Sequence, residues 1–307
     1  MTQRERQILQ LIEKQPMISQ QQIADTLGIT RPSVAVHISN LIKKGHIAGK
    51  GYVLRTGSYA VVVGGVNIDI CGRSGGPLVM ADSNPGTVTT TLGGVGRNIA
   101  HNLSLLGADV KMLTAYGNDL YGQKAAASCS ELGIDVSHAL TASDTPTSTY
   151  LYLTGPDGEM ALAVSDMSIC ERITPAYLSA NLPILQNAQV VVADANIPAE
   201  SLLWLADNCT APLFCDPVST IKAQKLQPIL HKIHTLKPNR LEAELLSGIP
   251  IRSREDVAKA ADRLIELGVH RLFISMGADG VYAAMGEERL ILPNLPGKMV
   301  NTTGCGD

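Results

Sequence analysis

An α/β fold, with a mostly parallel sheet covered by helices on both faces and preceded by a small basic helical module, is the architecture this sequence predicts. Two observations point to it. Short β-branched runs at residues 60–64, 190–193, 213–215, 235–237 and 271–275 alternate with helical segments at 202–208, 222–233, 240–246 and 255–267, and strands that read as continuous apolar runs are those a parallel sheet buries on both sides. The first 55 residues differ in charge, with eight Lys or Arg against three Asp or Glu, leaving seventeen against twenty-five for the remainder.

The N-terminal module divides into three helices. Ile8, Leu9, Leu11 and Ile12 recur at helical spacing, and the segment is expected to end near Lys14, just before Pro16. Ser19 opens a second helix carrying Ile23, Ala24 and Leu27, which Gly28 stops. Thr30 caps a third carrying Val34, Val36, Ile38 and Leu41. The short turn between the second and third implies a helix-turn-helix, and residues 46–55, with Gly49 and Gly51 between apolar neighbours, read as a β-hairpin wing. The pattern resembles the winged helix-turn-helix of bacterial regulators, in which the third helix enters the DNA major groove. It would offer Arg31, Ser33, His37 and Asn40. A helical appendage used for packing or dimerisation is the other reading. Thr56, Gly57 and Ser58 form a polar break, so the domains are expected at 1–56 and 57–307.

At 307 residues and 45% hydrophobic, the chain is long enough for a full core and two domains. No stretch reaches the roughly 18 apolar residues of a membrane helix, and Met1 precedes polar residues rather than a secretory signal. The expected setting is the cytoplasm, with no membrane partner. Cys71, Cys129, Cys170, Cys209, Cys215 and Cys305 are scattered singly, without the paired spacing of a zinc site or redox dithiol.

Within the large domain, residues 148–153 and 160–164 flank Gly155-Pro156-Asp157-Gly158, which is hairpin chemistry. With extended pieces near 71–80 and 87–91 they make either a separate small sheet lying over a pocket as a lid or an edge extension of the main sheet.

Candidate chemistry sits at strand ends. Gly93-Gly94-Val95-Gly96-Arg97-Asn98 precedes a helical run, where small residues let a ligand approach the helix start; a tight strand-to-helix turn needs the same residues. Asn67-Ile68-Asp69 ends the first strand region, and Asp69 with Asn98 suggests a grip on vicinal hydroxyls. Asn239 and Glu242 lie three apart at a helix start; Glu242 is suited to hold water around Mg2+, and the pair equally fits a capping box. Ser275, Gly277 and Gly280 follow another strand, as either a nucleotide loop or a plain hairpin turn. Last come Asn301-Thr302-Thr303-Gly304-Cys305-Gly306-Asp307, where Gly304 and Gly306 would present N–H groups to a transferring phosphate and Asp307 would take a hydroxyl proton; a terminal loop is the plainer reading.

The order of these segments resembles the ribokinase (PfkB) family from Tyr59 onward. Gly93 to Ala100 is similar to its first signature and Asn301 to Asp307 to its second, with Asn in place of the first Asp and Cys in place of Ala. Asn239-x-x-Glu242 resembles its magnesium and phosphate motif, and Ser275-x-Gly277 to Gly280 its nucleotide loop. Residues 81–86, 93–100 and 234–243 look like those of bacterial pseudouridine kinases in particular.

The resemblance implies a ribokinase-like sheet with a small β lid, the cofactors ATP and Mg2+, and transfer of the γ-phosphoryl group of ATP to the 5′-hydroxyl of a ribosyl nucleoside, pseudouridine foremost. Asp307 would be the base, with Gly304 and Gly306 at the anion nest. Asn67, Asp69, Gly93, Gly94 and Asn98 would hold the ribose, joined by Asp166 after the lid hairpin, whose other reading is a loop cap. A monovalent cation and a homodimer are further expectations. The family normally continues from the catalytic Asp into helices that wall the adenine site, so a chain ending at Asp307 is expected to show weak or no kinase activity by itself. Alternatives are a transcription regulator that senses its ligand through the kinase-like domain, and a kinase for another sugar or nucleoside.

Overall fold

The structure, a computed structural model, describes residues 1–15, 17–47, 58–295, 297 and 306–307. The wing expected at 46–55 lies, beyond its first two residues, outside the described residues, as does Gly304. The chain forms two compact units, Met1–Gly57 and Ser58–Asp307.

In the first unit, helices α1 (Gln3–Lys14), α2 (Gln20–Leu27) and α3 (Arg31–Lys43) begin at the caps Thr2, Ser19 and Thr30. Each cap hydroxyl accepts an otherwise unpaired N–H of the first turn. Gly28 ends α2 in the left-handed conformation, φ 62°. Ile8, Ile12, Ile23, Val34, Ile38 and Leu41 meet in one core, which is what their 3–4 spacing on three helices requires. Glu5 is buried beside Lys44, whose Nζ donates to its two oxygens at 2.8 and 2.9 Å.

The second unit runs β1 (Tyr59–Val63), β2 (Asn67–Ser74), β3 (Gly86–Gly93), α4 (Val95–Leu105), β4 (Asp109–Leu113), β5 (Ala115–Gly117), α5 (Leu120–Glu131), β6 (Ile134–Asp135), β7 (Leu140–Ala142), β8 (Thr149–Thr154) and β9 (Met160–Asp166). It continues through α6 (Pro175–Ala180), α7 (Leu182–Asn187), β10 (Val190–Asp194), α8 (Ala199–Asn208), β11 (Leu213–Asp216), α9 (Thr220–Ala223), β12 (Thr235–Leu236), α10 (Arg240–Ser247), α11 (Arg254–Glu266), β13 (Arg271–Ser275), β14 (Val281–Met285) and β15 (Glu288–Leu292).

Nine strands form the main sheet in the order β15-β14-β13-β12-β11-β10-β1-β4-β6. Every pairing from β6 to β13 is parallel; β14 and β15 add antiparallel at one edge. The side chains of β1 divide by the two-residue period of a strand. Val61 and Val63 enter the core under α8, α10 and α11, whereas Val62 joins Ala100 of α4 and Ala125 and Cys129 of α5 on the opposite face. Helices therefore cover both faces, as the alternating sequence predicts.

The lid hairpin belongs to a separate four-stranded sheet, β3-β2-β8-β9, rather than to an edge of the main one. One expected helix takes another form: residues 222–233 are a single α-turn, α9, followed by a 3-10 helix at Gln224–Lys232 that contains Pro228. Proline has no N–H to give an α-helical ladder, and the tighter spiral accommodates it. Among the described residues no helix is long and apolar enough to cross a membrane.

Candidate active site

The site lies where the lid meets the strand ends of the main sheet. Strand β2 pairs antiparallel with β3, setting Asn67 opposite Gly93 and Asp69 opposite Thr91. Asn67, 5% exposed, donates its Nδ2–H to Asp69 Oδ1 at 2.6 Å. The Asp69 carboxylate lies over Gly93 so closely that a Cβ there would collide with it. Burial pushes the Asp69 carboxyl up; the Asn67 hydrogen bond opposes this and the negative charge of Asp307 adds to it.

Gly94 turns the chain from β3 into α4 with φ 99°, a value L side chains avoid, and its backbone packs against Gly65 and Val66. The helix start carries no side-chain cap of its own. Its cap comes from β10: the fully buried carboxylate of Asp194 accepts the N–H of Gly96 at 2.7 Å and that of Gly65 at 2.9 Å through Oδ2, and that of Asn196 at 2.9 Å through Oδ1. A Cβ on Gly64 or Gly96 would run into this carboxylate. The N–H of Arg97 goes to Gly65 O and that of Asn98 to Gly94 O. The glycine segment is thus a close-packed turn in which the N–H groups of Gly96, Arg97 and Asn98 are bonded within the protein, and the group it offers outward is the side chain of Asn98. Asn98 Nδ2 donates to Asp307 Oδ2 at 2.8 Å.

Behind Asp307 lies a group that the sequence reading did not single out. Asp216 closes β11, and its Oδ2 faces Lys237 Nζ at 3.1 Å while Oδ1 accepts the N–H of Val218 at 2.8 Å. Val218 has φ 66°, a strained value for a β-branched residue. Burial raises the Asp216 carboxyl; the Lys237 charge lowers it and Asp307 raises it. Glu242 is likewise raised by burial, lowered by the Asn239 N–H, and pushed up again by Asp216. The charge of Asp307 thus raises both Asp69 and Asp216, and that of Asp216 raises Glu242, with the Lys237 cation lowering Asp216 and Glu242. Two weak signals for Asp216 and Lys237 were available: each stands at the end of a predicted parallel strand, immediately before proline.

Asn239 and Glu242 form a capping box at the start of α10, with Asn239 Oδ1 accepting the Glu242 N–H at 2.9 Å and Glu242 Oε2 accepting the Asn239 N–H at 2.8 Å. That leaves Oε1 of Glu242 without a hydrogen bond to the described residues. Among the described residues, no three His, Cys, Asp or Glu side chains converge to cage a metal. The donors here are oxygens on separate elements of the fold, Glu242 on α10 and Asp216 on β11, which fits Mg2+ held through water and phosphate rather than by the protein alone.

Ser275 ends β13, donates its N–H to Pro238 O at 2.9 Å, and lines an open cavity of about 510 Å3 together with Asp216, Lys237, Gly306 and Asp307. The rest of the cavity wall is mostly apolar, with Ile99, Leu103, Phe214 and Phe273 beside polar Thr235. Gly277 (φ 60°) and Gly280 (φ 88°) frame a 3-10 turn joining antiparallel β13 and β14, so this segment is a hairpin connection. Gly306 lies against Lys237 Nζ. Asp166 ends β9 exposed, with Oδ1 accepting both the N–H and the hydroxyl of Ser168, the arrangement of a loop cap. In the first unit, Arg31 and Ser33 are exposed on α3, while His37 and Asn40 are half-buried.

Residues 58–307 match the profile of the pfkB family carbohydrate kinases, and residues 1–47 match a winged helix-turn-helix DNA-binding profile. A pseudouridine kinase of Escherichia coli (strain K12) is 46% identical over 257 residues, spanning 83% of this chain and 82% of its own length. An uncharacterized sugar kinase of the same organism is 40% identical over 311 residues, all of this chain and 85% of that one. Among solved structures, a carbohydrate kinase from Agrobacterium tumefaciens superimposes with a TM-score of 0.68 at 29% identity, covering 76% of this chain and 75% of that one. An Arabidopsis thaliana ribokinase complexed with ribose and ATP gives 0.73 at 22% identity, covering 82% and 83%, a likeness of fold.

Proposed function

Because the chain belongs to the pfkB family of carbohydrate kinases, we propose that it phosphorylates the 5′-hydroxyl of a ribosyl nucleoside from Mg-ATP, with pseudouridine as the substrate. The observation that carries the reading is the convergence of Asp69, Asn98 and Asp307 between lid and sheet. Asp69, fixed by Asn67, accepts hydrogen bonds from the ribose hydroxyls, with Gly93 making room for its carboxylate and Gly94 turning the chain so that Asn98 faces the sugar. Asp307 takes the proton of the 5′-hydroxyl as that oxygen attacks phosphorus. Lys237 and the N–H groups of Gly304 and Gly306 meet the charge that grows on the phosphoryl oxygens. Glu242 and Asp216 would hold the waters of a magnesium ion, which when bound neutralises and orients the phosphates. Ser275, Gly277 and Gly280 shape the strand-end surface on the nucleotide side. The lid excludes water, which would otherwise compete as acceptor. Pseudouridine as the substrate rests on similarity to the E. coli pseudouridine kinase.

The apolar lid face opposite Asp69 exposes Leu151, Leu153, Leu162 and Val164 and is the surface on which a homodimer would form.

The test is a panel of pseudouridine, uridine, inosine and ribose with Mg-ATP and full-length protein. The reading expects preferential conversion of pseudouridine to its 5′-phosphate. Preference for another member would keep the kinase and reassign its substrate, whereas indifference to all four would overturn the nucleoside kinase.

A second reading is favoured by the match of residues 1–47 to a DNA-binding profile. In it, α3 reads DNA through Arg31, Ser33, His37 and Asn40, and nucleoside binding controls the affinity. Mobility-shift titrations against genomic fragments, with and without pseudouridine, test it. Selective binding that changes with ligand is the expected result; binding that ignores both sequence and ligand contradicts it.

A further inference from the structure

Arg97 is a charge that the proposed reaction leaves unused. It sits on the first turn of α4, 9% exposed, and among the described residues it pairs with no carboxylate. Its Nη1 donates to Asn98 Oδ1 at 3.4 Å and its Nη2 to Ser128 Oγ of α5 at 3.2 Å, while Nε is buried without a partner. The titratable groups that feel its charge are His101 on α4 and Cys129 on α5. Burying a guanidinium with neutral partners costs stability, and a methionine of similar length would fill the space without that cost. Packing between α4 and α5 therefore does not explain why this position is charged.

We infer that Arg97 is a positioning residue for the phosphoryl-transfer site, acting through the amide of Asn98. That amide has two unlike ends. Oδ1 faces the Arg97 cation, and Nδ2 donates to Asp307 Oδ2 at 2.8 Å. Rotating the amide by half a turn would set its NH2 against the guanidinium and its oxygen against the carboxylate, two repulsions in place of two attractions. Arg97 thereby selects the orientation in which Asn98 holds Asp307. The cation also draws electron density toward Oδ1, which strengthens Nδ2–H as a donor. Ser128 fixes the guanidinium from the α5 side, so the control reaches Asp307 in sequence from α5 through Arg97 and Asn98.

The inference rests on the kinase reading for its catalytic consequence and on geometry alone for its structural one, so two measurements separate them. The first is a double-mutant cycle with Arg97→Met and Asn98→Ala, scored on kcat. Arg97→Met is expected to lower kcat about tenfold, the size of one charge-assisted hydrogen bond, with KM for Mg-ATP unchanged and Arg97→Lys recovering part of the loss. In the Asn98→Ala background, Arg97→Met is expected to add little, because the group it acts through is gone. Additive losses, or a loss that merely tracks a lower Tm, would overturn the positioning role.

The second measurement needs no turnover. In protein labelled with 15N-asparagine, the Asn98 side-chain NH2 protons are expected to exchange slowly in the wild type and in Arg97→Lys, and quickly in Arg97→Met. Equal exchange in wild type and Arg97→Met would refute the inference even in an active kinase. If no nucleoside is phosphorylated but the exchange difference is present, the kinase reading fails and the orientation of Asn98 by Arg97 stands.

Discussion

Asn98 Nδ2 and Asp307 Oδ2 meet at 2.8 Å across 209 residues of chain. The bond joins the first turn of α4 to the far end of the described chain, and so brings the proposed sugar grip and the proposed proton acceptor together. Its two partners are held independently. Asn98 is set by a helix start that Asp194 caps from a different strand, and Asp307 stands next to Gly306, which lies against Lys237.

Asp69 is expected to act on binding more than on chemistry. Asp69→Ala should raise KM for the nucleoside about 10- to 100-fold, the worth of a hydrogen bond to a charged group, with a smaller change in kcat. Because burial raises its carboxyl above the ordinary 3.8, the ionised form that grips the ribose should be lost as pH falls through that raised value. The acid limb of kcat/KM should then include a component above the ordinary aspartate value in the wild type, and Asp69→Asn should lose that component. Steady-state kinetics across pH checks both, and an unchanged KM in Asp69→Ala contradicts the assignment.

Glu242 carries two roles that one substitution can separate. Glu242→Gln keeps an oxygen to accept the Asn239 N–H, so the capping box and the fold should survive. The lost charge should weaken the apparent Mg2+ affinity about tenfold, as substitutions around a metal shell do. Titrations of activity against Mg2+ at saturating nucleoside measure it. Unaltered Mg2+ dependence would leave Glu242 a cap alone.

Asp194 links pH to stability. Burial pushes its carboxyl up to about 6 from 3.8. The folded-state value is the higher one, so the contribution of this group is fully present below about pH 4 and is lost as pH rises through about 6. Urea melts of wild type and Asp194→Asn should therefore diverge between these limits, the wild type losing on the order of 3 kcal/mol relative to the variant as pH rises. A difference independent of pH contradicts this.

On α3, the exposed Arg31 is expected to meet a phosphate and Asn40 a base edge. Arg31→Ala should weaken DNA binding for all sequences and lower the salt slope by about one. Asn40→Ala should instead relax sequence preference by about 1–3 kcal/mol at one position. Fluorescence anisotropy over a range of salt and operator variants distinguishes them, and identical effects of the two substitutions contradict the division of labour.

Much of the architecture was legible because its strands are buried on both faces. Val61, Val62, Val191 and Val192 announce themselves as apolar runs, and Ser19, Thr30 and Asn239 cap helices with ordinary chemistry. Strand β4 and helix α5 were not legible: Asp109 and Lys111 interrupt the first, and the second presents Ala, Ser and Gly where larger apolar residues would mark a buried face. The residues of the candidate site divide in the same way. Glycines and polar residues clustered in sequence, such as Gly93, Gly94 and Asn98, are visible as a group. Asp194, Asp216 and Lys237 act by reaching across strands, and a single carboxylate at a strand end looks the same in sequence whether it faces solvent or clamps a glycine turn. Gly277 to Gly280 form a hairpin turn and Asp166 caps a loop, geometries that their residues announce whether or not a ligand also meets them.

The proposed acceptor of the 5′-hydroxyl proton, in a nucleoside held by Asp69 and Asn98, is Asp307. Its most direct test is the time course of γ-phosphoryl transfer from radiolabelled ATP to pseudouridine by full-length wild type and Asp307→Asn, alongside calorimetric binding of pseudouridine to both. A 5′-phosphate product is expected, with binding retained within a few-fold in the variant and a fall in kcat of about 10²- to 10⁴-fold, the contribution of a positioned general base. Transfer by Asp307→Asn at the wild-type rate would contradict it.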